Sequence, residues 1–405
     1  MSGNSSATGP LAGMRVLELA QIMAGPTAGM MLADMGADVI KVEKLPGGDD
    51  SRDYREPHVN GVSAPFMILN RGKRGIALDL KHPSGREILL RLVRDADVLT
   101  ENYRRGTLEK LGLGYDVLAR VNPGLIYSAV SGYGRTGPYA DKGGFDLIAQ
   151  GFAGLMSITG EAGGAPAKTG NSVADINAGI LAVVGICAAY AHKLRTGQGQ
   201  VVDTSLMEAA LQQTYWHAAI YFATGESPQA LGSAHALTAP YQAFKASDGW
   251  LNIGGANQAN WERVADVLGH PEWKADPRFA ANSDRMGNRD LLANRINTVL
   301  GTRTRAEWVE AFDAAGVPVG PVHSIGEAIE HPQTRARGMV LELDHPEAGR
   351  TRALGSPLHF SVTPGANSLP APVLGQHTRE VLRESGYSDA EIDRFAADGV
   401  IVAAQ

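Results

Sequence analysis

An aspartate stands where a polar loop gives way to a long apolar run. Asp175 follows Asn171, Ser172, Val173 and Ala174, and from Ile176 onward Leu181, Val184, Gly185, Cys187 and Ala188 recur at steps of three and four. That spacing is one face of a buried helix, so Asp175 falls at its cap or in its first turn. Such a carboxylate has two readings. On residue type alone, plain capping is the stronger. The other is a nucleophile, because the unpaired N–H groups and positive end of the helix dipole favour the ionised form by about 0.3 to 1 kcal/mol.

A second set of chemically able residues is basic: Lys41, Lys44, Arg71, Lys73, Arg74, Arg104 and Arg105, all at strand ends or in loops. Any one of them reads equally well as solvated surface. Clustered after strands, where an open sheet takes its ligand, they suit a phosphate-bearing nucleotide. Gly132, Gly134 and Gly137 spell G-x-G-x-x-G directly after an apolar run, the dinucleotide fingerprint in letters only. Pro138 follows at once, where the fingerprint needs a starting helix, and no carboxylate closes a second strand about 20 residues on. A flexible glycine loop against a ligand is the better reading. The 11 histidines never form H-x-x-x-H, there is a single cysteine, and G-x-S-x-G is absent, so neither a metal centre nor a hydrolase elbow is expected.

The elements that must position these residues alternate. Met14 to Ala20 reads as a buried strand, Gly25-Pro26 opens a helix that Gly36 ends, and Ala37 to Glu43 is a second strand, which makes a β-α-β unit. Residues 46 to 63 read as a surface loop. Further strands are expected at 75–80, 96–102 and 124–131, with a capping box at Ser84 and Glu87 and a helical piece at 115–120. After the long helix come a strand at 200–203 and a helix to about 222. The chain then changes character, with a hairpin through Ser247-Asp248-Gly249, helices near 259–268, 289–300 and 305–315, and capping boxes at Thr304/Glu307, Ser324/Glu327 and Ser388/Glu391. Two short strands are expected near 338–344 and 350–354, and the Pro- and Gly-rich residues 361–377 read as a long arm. The fold class is therefore α/β, an open doubly wound and mainly parallel sheet with a second, smaller α+β domain. The expected boundaries are 1–225 for the large domain, 226–330 for the small one, and 331–405 for a C-terminal linker returning to the large domain.

Composition narrows the partners. A chain of 405 residues with net charge −6 and scattered Lys and Arg argues against nucleic acid as a bulk electrostatic partner, and none is expected. Residues 1–10 read as a loose tail rather than a signal peptide, no run approaches the roughly 18 apolar residues of a membrane span, and the lone Cys187 fits a reducing, cytoplasmic compartment.

Several segments taken in order carry a resemblance: LAGMRVLELAQIMAGPTAGMMLADMGADVIKVEK, NRGKRGIALDLKHPSGRE, DVLTENYRRGTLEKLGLGYD, SGYGRTGPYADKGGFDLIAQGFAGLMSITG, TGQGQVVDTSLMEA, and in the small domain APYQAFKASDGWLNIGGANQANW and AGVPVGPVHSI. Together they resemble the class III coenzyme A transferases, a family that includes carnitine-CoA and formyl-CoA transferases and the 2-methylacyl-CoA racemases. The resemblance implies an acyl-CoA:carboxylate CoA-transferase with coenzyme A as co-substrate, a small carboxylic acid as the other substrate, and an interlocked homodimer. It implies that Asp175 attacks the thioester, forming an aspartyl anhydride and then an aspartyl-CoA thioester. It also implies CoA contacts at Lys44, Lys73, Arg74, Asn102, Tyr103 and Lys110. Met23 stands where formyl-CoA transferases carry Gln, and their tetraglycine loop is not found here, which favours a larger or different acid. The alternatives are a racemase or related isomerase on the same fold, and a CoA-binding protein without catalysis. In the racemase branch a His precedes an Asp in the segment matching Gly144 to Leu147; here the pair is Phe145-Asp146, and phenylalanine cannot move a proton.

Overall fold

A computed structural model describes residues 8–54, 56–365 and 369–403. Of the tail expected over residues 1–10, residues 1–7 lie outside the described residues, as do residues 366–368 of the expected arm. The chain forms two compact units. The larger comprises Met1–Ala153, Gly170–Gln213 and Pro332–Gln405, and the smaller Gly154–Thr169 and Thr214–His331. The small unit thus begins before residue 226 and also takes in a short stretch ahead of the long helix. The sequence hid this because the helix Tyr215–Thr224 is as apolar as a core helix yet buries none of its residues within the chain.

Apolar runs buried on both faces become the central sheet of the large unit. Its strands are β1 (Arg15–Glu18), β2 (Asp38–Glu43), β3 (Arg74–Leu78), β4 (Val98–Glu101), β5 (Ile126–Ser131), β6 (Val201–Ser205) and β7 (Ile401–Val402). They lie in the order β7-β3-β2-β1-β4-β5-β6. The first six are parallel, and β7 runs antiparallel to β3, with Ile401 opposite Leu78. The parallel order 3-2-1-4-5-6 reverses direction between β1 and β4, and a ligand crevice belongs outside the carboxyl ends of the strands at that switch. The edge strand β7 was not legible as a two-residue segment. It is held because Val381, Leu382, Ile392 and Phe395 of the C-terminal helices share the core with Ile88, Leu89 and Leu92.

Three helices set the crevice: α1 (Ala24–Asp34) after β1, α2 (Asp146–Phe152), and α3 (Val173–Thr196) before β6. Helix α3 buries Ala174, Ala178, Ala182 and Ile186, one face at intervals of four. Its Gly179 allows α1 to come close, since a Cβ there would lie 2.6 Å from the Ala24 carbonyl oxygen. By length and composition α3 could cross a membrane, contrary to the sequence expectation that no such run exists; in this fold it packs along α1, β5 and β6. The helix expected to begin at a Ser84 capping box instead starts at Pro83, with His82 as cap and its Nδ1 accepting the Ser84 N–H. A chain entering with Pro at the first position needs no donor there, so the cap shifts upstream.

The small unit has a three-stranded antiparallel sheet built on Tyr241–Ala246, Gly249–Gly254 and Val319–Pro321. Its core gathers Phe244, Leu251, Trp261, Trp308 and Phe312. The capping boxes at Thr304/Glu307 and Ser324/Glu327, and at Ser388/Glu391 in the large unit, are all formed.

Candidate active site

A cleft of about 370 Å³ opens at the carboxyl ends of the strands, at the switch between β1 and β4. The loop after β1 supplies Gln21, Ile22, Met23 and Ala24; the loop after β4 supplies Asn102, Tyr103, Arg104 and Arg105. The end of β5 and the segment before α2 add Ser131, Gly132, Lys142, Gly144 and Phe145, and Asp175 of α3 lies in the same lining.

Asp175 is the third residue of α3, whose cap residue Ser172 makes no side-chain cap bond. The capping task falls to Asp146 instead. Its Oδ1 accepts the Ala174 N–H at 2.9 Å and its Oδ2 accepts from Gln150 Nε2 at 2.7 Å. Asp175 therefore meets burial and a neighbouring like charge. Burial first, and the Asp146 charge second, push its carboxyl up to about 6. This corrects the expectation from the helix dipole, because the donor that would have lowered Asp175 is already engaged by another carboxylate.

Asn102 spends both ends of its amide on one backbone: Oδ1 accepts the Gln21 N–H at 2.9 Å and Nδ2 donates to the Gln21 carbonyl at 2.8 Å. Its work is to fix the β1 loop. Tyr103 lines the cleft and, with Lys44 and Gln21, a smaller niche beside it. Lys44 is about half exposed and pairs with Asp50.

Three expected CoA contacts sit elsewhere. Lys73 is fully buried, its ammonium bound to Glu18 at 2.8 Å, Asn70 Oδ1 at 2.9 Å and the Pro26 carbonyl at 3.0 Å. Burial pushes it down to about 8, with Glu18 opposing. Arg74 opens β3 at the amino end of the sheet, where it pairs with Asp38, Glu380 and Glu384. The preceding Arg71 is likewise structural, bidentate to Asp34 and bonded to the Leu354 carbonyl. Lys110 is exposed at the end of the short helix Thr107–Lys110 and is not among the residues lining the cleft. The basic cluster thus divides. Lys41, Arg71, Lys73 and Arg74 hold the fold, whereas Arg104, with no ion pair among the described residues, stays at the cleft. Lys142, which the sequence reading passed over, joins it with its ammonium 3.5 Å from the Tyr139 ring centroid. Its one signal is its place in the D-K-G-G turn after the glycine loop.

The glycine loop is explained by packing. A Cβ on Gly132 would lie 2.7 Å from the Gly144 Cα, so the two backbones cross where no side chain fits. Arg135 ties the loop down, donating to Glu101 at 2.7 Å and Glu109 at 2.5 Å while its N–H reaches Asp203 at 3.0 Å.

A doubly wound sheet whose switch-point cleft is lined by the Asp175 carboxylate and by the cations of Arg104 and Lys142 suits an anionic ligand. Residues 11–378 match the model of CoA-transferase family III, and the chain belongs to that family. It is 41% identical over 381 residues to a succinate–glutarate CoA-transferase of Agrobacterium fabrum, spanning 93% of this chain and 95% of that protein. It is 36% identical to a succinyl-CoA:glutarate CoA-transferase of Mus musculus, spanning 97% of this chain and 90% of the other. A crystal structure of a CaiB/BaiF family protein from Brucella suis superposes with TM-score 0.84 at 38% identity, over 93% of this chain and 100% of that one. The protein is a CoA-transferase enzyme, which sets aside the non-catalytic alternative.

Proposed function

We propose that this protein moves CoA between small dicarboxylic acids through covalent intermediates on Asp175. The observation that carries the reading is the Asp175 carboxylate, partly buried in a cleft at the sheet's switch point and held near 6. At pH 7 about nine-tenths of it is ionised, yet it is more basic than a solvated aspartate and so a better nucleophile. In the proposed sequence Asp175 attacks the thioester carbonyl of the donor acyl-CoA and CoA thiolate leaves, giving a mixed anhydride. The thiolate then attacks the aspartyl carbonyl, releasing the donor acid and forming an aspartyl-CoA thioester. The acceptor carboxylate repeats the two steps in reverse, so that the acceptor leaves as its CoA thioester and Asp175 is restored. The glutarate and succinyl-CoA in the relatives' names support dicarboxylates, and Met23 in the cleft lining, where formyl-CoA transferases carry Gln, favours a larger or different acid than formate.

Racemisation is disfavoured by the same geometry. Phe145 has no titratable group, and Asp146 has both oxygens engaged by Ala174 and Gln150. The test is chemical trapping. Hydroxylamine or borohydride added during turnover with succinyl-CoA should modify Asp175 alone by mass spectrometry; modification of another residue instead would remove Asp175 as the nucleophile, and modification of none while turnover continues would remove the covalent reading.

The proposed assembly is an interlocked homodimer, and CoA would lie along the cleft with Lys44, Arg104 and Lys142 nearest its phosphates. The dimer is supported by large apolar groups left open to solvent, among them Trp216 at 63% and Phe222 at 84% exposure. Native mass spectrometry on dilution should find no folded monomer, and a reversible monomer would contradict the linked arrangement.

A further inference from the structure

Ile22 has φ = 68°, in the left-handed region, although it is a β-branched residue. Such a residue crowds its own Cβ against the backbone there, and it stays only where its surroundings over-determine it. The one other non-glycine residue at positive φ among the described residues is Asn60, a type that tolerates that region. Ile22 sits in the wall of the cleft between Gln21 and Met23.

What holds it is a buried carboxylate from the next loop. The Ile22 N–H donates to Asp49 at 3.1 Å (Oδ1) and 3.3 Å (Oδ2). Asp49 is 3% exposed, although the sequence places it in a surface loop. Its Oδ1 also accepts from Ser51 N at 2.9 Å and Ser51 Oγ at 2.7 Å, and its Oδ2 meets the Lys41 ammonium at 2.8 Å. Lys41 in turn binds Glu18 at 3.0 Å and the Ala20 carbonyl at 2.9 Å. Lys73 binds the same Glu18 and the Pro26 carbonyl. The buried charges therefore grip the chain at Ala20, Ile22 and Pro26, and Asn102 grips it at Gln21.

We infer that Asp49 is a positioning residue for CoA transfer: through Lys41 it is locked in place, and through the Ile22 N–H it keeps residues 21–24 in the strained path that shapes the cleft beside Asp175. The inference rests on the reading of this cleft as the site of transfer. Strain in a binding wall is useful because a wall with one conformation presents the reacting groups without reorganisation. No substrate group need touch Asp49.

The experiment is a double-mutant cycle with succinyl-CoA and glutarate. Asp49→Asn should lower kcat by about tenfold or more, as expected when a misplaced wall loosens the reacting geometry, while KM for succinyl-CoA changes far less. Glycine enters the left-handed region freely, so adding Ile22→Gly to Asp49→Asn should recover several-fold in kcat without restoring the melting temperature, because the buried Lys41 still lacks one of its two carboxylate partners. A merely structural Asp49 would give no such rescue. Ile22→Gly should melt higher than Ile22→Ala, which loses the same side chain but keeps a Cβ in the left-handed region. Wild-type kcat in Asp49→Asn, no rescue in the double variant, or an Ile22→Gly that melts no higher than Ile22→Ala would each overturn the inference. Should Asp49→Asn not fold, the comparison of Ile22→Gly with Ile22→Ala decides alone. Asp175→Asn run beside them separates the two failures: if it stays active, the cleft is misassigned; if it is inactive while the cycle fails, only the clamp is wrong.

Discussion

Asp146 caps the helix that carries Asp175, with its Oδ1 2.9 Å from the Ala174 nitrogen, one residue before the proposed nucleophile. One carboxylate thereby takes the helix terminus and leaves the other without its benefit. The result is a pair with divided roles: Asp146 is bound by donors on both oxygens, and Asp175 is buried and pushed up to about 6.

The first prediction is a pH profile. If ionised Asp175 is the nucleophile, kcat/KM for succinyl-CoA should rise with unit slope up to about pH 6 and level off above it. Asp146→Asn keeps an oxygen for the Ala174 N–H but removes the like charge, so the acid limb should move to lower pH. A limb unmoved in that variant would show that burial alone sets the value.

The second concerns stability. The folded carboxyl of Asp175 lies above the ordinary value of 3.8, so the ionised form is disfavoured in the fold. Stability from this group is fully present below about pH 4, is lost as pH rises from about 4 to 6, and stays lost above that. Asp175→Asn should therefore abolish transfer yet be more stable than wild type at pH 7, by up to about 3 kcal/mol, with the gain vanishing near pH 4. Denaturant unfolding at the two pH values checks the sign. A less stable variant at pH 7 would mean that Asp175 has a favourable partner in the fold.

A third separates the lysines that the resemblance grouped together. Lys73→Met removes one ammonium from a wholly buried network and should cost about 3 kcal/mol or more, read as a large fall in melting temperature. Lys44→Ala removes an exposed cation beside the Tyr103 niche and should leave the melting temperature unchanged while raising KM for acyl-CoA several-fold. The opposite pattern would return Lys73 to the binding site and remove Lys44 from it.

Much of the fold was legible because its signals are local. The β1, α1 and β2 unit follows from apolar runs punctuated by Gly25-Pro26 and Gly36, and Ser324 and Ser388 announce their helices with a Glu three residues on. Asp175 in the first turn of a long helix was equally visible. The use of charged residues was not. Lys73 and Arg74 are adjacent in sequence, yet one is sealed against Glu18 and the other lies at the amino end of the sheet, because successive residues at a strand's start face different surroundings. The Asp49 loop reads as polar surface, and only tertiary packing brings Lys41 under it. Sequence determined which residues could carry charge and where the chain turns, since propensity and periodicity act over a few residues. The tertiary structure decided which charges face solvent, which clamp the backbone, and which of two aspartates caps the helix, because desolvation and pairing depend on neighbours distant in the chain.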